Sequence, residues 1–95
     1  MISPDTPRWS QDEAVAYESA RECLTHLMAI YSGTIHEERS RADFDEARLM
    51  RLMESRSRLA KERDRLHVTD GSAIERVRND CGSLIRAYNA GKFRP

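Results

Sequence analysis

Little in this chain is suited to staple it, interrupt it or anchor it. Its 95 residues hold two cysteines and no Cys-x-x-Cys pair, which excludes a disulfide-dense scaffold and the usual zinc-ribbon spacing. Cys23 and Cys81 fall beside or on apolar helical stripes, where a free thiol behaves as a small hydrophobe. They read as reduced core residues, with a disulfide or metal role as the alternative. Three prolines and four glycines leave long stretches free to run as helix, and two of the prolines lie in the first nine residues. No apolar run approaches the roughly 20 residues a bilayer span needs. The uncharged stretch 24–35, for example, carries Thr25, His26, Ser32 and Thr34. The first residues lack the basic and apolar regions of a secretory leader, so a cytoplasmic protein with no membrane contact is the expectation. Lysine is scarce too: arginine supplies 14 of the 16 basic side chains. A GC-rich bacterial genome and selection for the bidentate contacts of guanidinium both produce that bias.

What is present is helical patterning. Apolar residues make up 39% and charged residues 34%, at zero net charge, the balance of a small soluble helical domain. Three helix-start signals recur: Ser10 with Glu13, Asp43 with Glu46 and Ser72 with Glu75. In each, a short oxygen acceptor can take an orphan first-turn N–H while a Glu three residues on reaches back to the cap's own N–H. The expected helices are about 11–34, 44–67 and 73–90, in one domain over 10–95 behind an extended arm over 1–9. The first carries Tyr17, Ala20, Leu24, Leu27, Tyr31 and Ile35 at steps of 3 or 4. Gly33 costs about 1 kcal/mol against Ala in a helix, which favours an end near Thr34. In the third, Ile74, Val77, Cys81, Leu84, Ile85 and Tyr88 share a face, and Gly91 before Lys92 and Phe93 is similar to a C-terminal glycine cap. Gly71 is expected to take a positive φ in the preceding turn.

The fold expected is all-α: a long antiparallel helical hairpin with a third helix packed on it, and a homodimer is expected because three wide stripes exceed what one such bundle buries. Charge is segregated in support of the hairpin. Residues 1–38 hold seven acidic and two basic side chains, residues 39–68 six and nine, and residues 69–95 three and five. Along the second helix, Asp45–Arg48, Arg51–Glu54, Glu54–Arg58 and Arg58–Glu62 have the spacing of weak pairs worth about 0.2–0.5 kcal/mol each.

Chemistry is harder to find. His26 is three residues from Cys23 but lacks further ligands, and His36-Glu37-Glu38 lacks the second histidine of HExxH because position 40 is Ser. No glycine-rich phosphate loop or nucleophile elbow occurs, so no cofactor, metal or catalytic residue is assigned. A DNA-binding regulator is an alternative, since nine basic residues lie between Arg39 and Arg65. Neutral net charge and the acids interleaved in the second helix weigh against nucleic acid. The oddity is a fault in the second helix's seam: Leu49, Leu52, Leu59 and Leu66 predict apolar residues at 56 and 63, and both are arginine. One reading has their stems along the stripe and their heads in water. The other has this helix facing an acidic partner. The leading expectation is a non-catalytic helical module that docks on a protein partner, as a bacterial immunity protein, antitoxin or secretion-associated adaptor does. Arg48, Arg51, Arg56, Arg58 and Arg63 are the expected contacts.

The run 45–60, rich in Arg, Leu and Met, is similar to the first helix of the all-α chorismate mutases. That resemblance implies a helical enzyme in which Arg56 and Arg39 grip a dicarboxylate substrate. The family's further lysine falls on His67, and the acidic and amide residues that follow it in the family have no counterpart here.

Overall fold

The computed structural model describes residues 9–95, which form three helices: α1 (Gln11–Arg39), α2 (Glu46–Arg65) and α3 (Gly71–Asn89). There is no strand among the described residues. The proposed arm over 1–9 lies outside them except for Trp9.

α1 begins as its sequence predicts. Ser10 Oγ accepts the Glu13 N–H at 3.1 Å, and Glu13 Oε1 accepts the Ser10 N–H at 3.0 Å. It does not end near Thr34 but runs through Gly33 to Arg39. The reason is burial beyond the glycine: Ile35 is 1% exposed and Glu38 4%. Burying one isoleucine is worth about 1.5–3 kcal/mol, more than the roughly 1 kcal/mol that Gly33 costs.

The other two caps sit two residues from where the sequence signals put them. α2 is capped by Asp45, whose Oδ1 accepts the Arg48 N–H at 3.0 Å, while Asp43 faces Arg41 at 3.6 Å instead. Buried Glu38 explains the shift, because its Oε1 accepts the Asp45 N–H at 3.1 Å. The carboxylate that a capping box draws from the helix's own first turn is supplied here by α1. α3 is capped by Asp70, whose Oδ1 accepts the Ala73 N–H at 3.1 Å. A carboxylate there gains from the helix dipole as well as the hydrogen bond, an advantage Ser72 lacks. Gly71 is thus the first residue of a helix and has no positive φ; among the described residues only Gly91 does, at 72°. Gly91 closes α3 with the Lys92 N–H bonded to the Ala87 carbonyl at 2.8 Å and the Gly91 N–H to that of Tyr88 at 3.0 Å, and Phe93 folds back on the core.

α2 runs antiparallel to α1, pairing Arg63 with Thr25, Arg56 with Ser32 and Asp45 with Glu38. α3 runs alongside α1 in the same direction: Ile74 lies near Ala16, Cys81 meets Cys23, and Arg94 lies near Thr34. The chain goes up, down and up around α1, and these contacts are those of a helical bundle. The main buried cluster is Ala20, Leu24, Leu27, Ile30, Ile74, Val77 and Cys81, drawn from α1 and α3. Leu84 and Tyr88, expected inside, are 38% and 40% exposed. α2 buries only Leu52 fully. No described helix is long and apolar enough to cross a membrane.

Candidate functional site

α2 rests on α1 through buried Leu52, half-buried Leu59 and Leu66, and two of its arginines. The 3-4 spacing that aims Leu52, Leu59 and Leu66 at α1 also aims Arg56 and Arg63 there. Both are half-buried, and α1 meets them with hydroxyls rather than carboxylates. Arg56 Nη1 donates to Ser32 Oγ at 3.1 Å and Arg63 Nη1 to Thr25 Oγ1 at 3.0 Å. Arg63 Nε is buried without a hydrogen-bond partner, 3.9 Å from Asp64 Oδ1. From α1, Arg21 lies over the Tyr17 ring, 5.6 Å from its centroid, and donates to the Arg63 carbonyl at 3.4 Å. That bond places a cation on one of the last carbonyls of α2, where the helix dipole favours it. Arg39 reaches Met53 Sδ at 3.4 Å.

Of the remaining three arginines, Arg48 and Arg51 border the C-terminal Pro95 and only Arg58 faces α3. Arg48 and Arg51 wall a depression of about 280 Å³ with Tyr31, Leu52, Ser55 and Pro95. Arg48 Nη2 donates to the Pro95 carbonyl at 3.0 Å, and Arg58 Nη2 to Ser55 Oγ at 3.3 Å. Further along α2, Arg58, Lys61 and Arg65 face Ala73, Arg76 and Val77 across a second depression of about 480 Å³, where Glu62 and Asp70 are the acids. This second depression lies in a groove left because α2 and α3 both lean on α1 without approaching each other: no Cα of one comes within 8 Å of a Cα of the other. Packed helices normally lie 8–10 Å apart axis to axis, close enough for such approaches.

None of the four weak pairs expected along α2 forms as an ion pair. The ion pairs among the described residues are Arg41–Glu38 at 3.3 Å, Arg41–Asp43 at 3.6 Å and Arg63–Asp64 at 3.9 Å. Asp45 has become a cap, and Arg58 takes a serine hydroxyl in place of Glu54 or Glu62. Among the described residues, Arg51, Arg56 and Arg58 therefore have no carboxylate at contact distance. The groove could not be read from the sequence, since nothing in the periodicity of α2 or α3 reports the distance between them.

Acidic side chains gather elsewhere. Glu18 and Glu22 border an open depression of about 700 Å³ on the outer face of α1, floored by Trp9, Ala14 and Val15. At 100° per residue, these positions lie about 180° around α1 from Ala20, Leu24 and Leu27, which face the other two helices.

No protein-family model matches this chain, and no curated protein or solved structure matches it.

Proposed function

We propose that this chain is a non-catalytic docking module of the immunity-protein, antitoxin or adaptor type, and that it receives an acidic amphipathic helix of a second protein in the groove between α2 and α3. One observation carries the reading: the depression between α2 and α3 is lined by Arg58, Lys61, Arg65 and Arg76 against two acids, Glu62 and Asp70, and none of these four cations forms an ion pair among the described residues. Half-buried Leu66 and Tyr31 give an incoming helix apolar footing. Arg48, Arg51 and Arg58 give it counter-charges, and planar guanidinium groups suit carboxylates at partly dry contacts. Arg56 and Arg63 take a different part, holding α2 to α1 through Ser32 and Thr25.

A second copy suits the groove less well. Its acidic face lies on the side of α1 away from the other helices, and a contact between opposite faces repeats head to tail instead of closing as a two-fold dimer.

The test compares capture of a partner from source cells by three baits: wild type, Arg48→Glu/Arg51→Glu/Arg58→Glu, and Arg56→Gln/Arg63→Gln. The groove variant is expected to weaken binding of the captured protein by roughly tenfold or more, with a slower on-rate and a flatter salt response. The seam variant is expected to lose stability and keep the partner once folded. Equal affinity of wild type and groove variant overturns the reading.

A further inference from the structure

We propose that Cys23 and Cys81 form a dithiol site that a small-molecule disulfide oxidises to a bond between α1 and α3. This inference is independent of the docking groove. Both cysteines are free. Cys81 Sγ donates to the Cys23 carbonyl oxygen at 3.1 Å. That contact sets the Cys81 sulfur against the Cys23 residue itself, so closing a disulfide asks for rotation of the two side chains toward each other rather than movement of the helices. The helices come together here on small residues, Ala20 with no exposed surface and Cys81 with 4%.

Exposure sets the order of events. Cys23 is half-buried and Cys81 buried, so Cys23 meets the oxidant first. Its thiolate attacks one sulfur of glutathione disulfide; that S–S bond breaks, one glutathione leaves and takes up a proton, and a mixed disulfide remains on Cys23. Cys81 then loses its proton and attacks the Cys23 sulfur, and the second glutathione leaves and is protonated. Two protein thiols have lost two hydrogens and two electrons, and one small disulfide has become two thiols.

The second step is slowed by the surroundings of Cys81. In the free dithiol, burial first, then the hydrogen bond and charge of Cys23, then the charge of Glu62 on α2 push its pKa up to about 12, and burial and Glu62 still act once Cys23 carries glutathione. The reactive thiolate fraction therefore rises about tenfold per pH unit through the neutral and mildly alkaline range. Bond closure is expected to accelerate with it. The bond joins positions 58 apart in sequence and so restricts the unfolded chain strongly.

The experiment treats the full chain with excess glutathione disulfide at pH 7, 8 and 9 and follows intact mass, peptide maps and Tm. The expected product is a monomer lighter by two hydrogens, with the Cys23 and Cys81 peptides joined and a Tm raised by at least about 5 °C, all reversed by dithiothreitol. Cys81→Ser is expected to stop with one glutathione on Cys23, and Cys23→Ser to remain unmodified. Wild-type protein that stays reduced, stops at the glutathione adduct or links two chains overturns the proposal. The wild-type result decides even where a variant folds poorly.

Discussion

Glu38 shows how much one side chain determines in this fold. It is 4% exposed, and its two carboxylate oxygens are both spoken for, one by the Asp45 N–H and the other by Arg41 Nη1 at 3.3 Å. Glu38→Ala leaves the Asp45 N–H without its acceptor and Arg41 without its counter-charge, and is expected to cost about 1–3 kcal/mol in urea denaturation. Glu38→Gln keeps an acceptor for the N–H and is expected to cost less. Similar losses for the two variants would show that the charge on Arg41 matters more than the bond to the turn. The sequence does hold a trace of this residue's place: the steps Leu24, Leu27, Tyr31, Ile35 continue to 38. Reading the glycine at 33 as an end stops the stripe before it arrives there. Arg56 and Arg63 were legible as seam positions from spacing alone, but their hydroxyl partners were not, because those lie 24 and 38 residues away.

At the scale of elements, apolar periodicity identified all three helices, and the caps proved the less dependable guide. Two acceptors within three residues compete for each start, and tertiary contacts choose between them: Glu38 selects Asp45 over Asp43. Helix continuation through Gly33 follows the same rule, since burial outweighs local propensity. Gly33 therefore remains a weak point that the helix tolerates. A Cβ added there meets nothing within 4 Å, and the position is exposed. Gly33→Ala is expected to stabilise the protein by about 0.5–1 kcal/mol, read as a higher urea midpoint at unchanged slope. A neutral or destabilising result would mean that α1 does not pass through residue 33 as regular helix.

For the whole molecule, the consequential feature is an inequality among three pairings. α1 packs on α2 and on α3, α2 and α3 stand apart, and α2 contributes one fully buried residue. A helix that adds so little to the buried core and lines the gap with Arg58, Lys61 and Arg65 is what the proposed docking reading uses. The segregation of charge was visible in the sequence; its use was not, because hairpin pairing was the nearer explanation. The structure answers α2 with hydroxyls on one side and open space on the other. Hydrogen exchange on the chain with and without its captured partner tests this most directly. Slower exchange is predicted along α2 from Arg48 to Leu66 and along α3 from Ala73 to Tyr88, with the outer face of α1 unchanged. Protection confined to residues 11–22 of α1, with α2 and α3 unaffected, would contradict it.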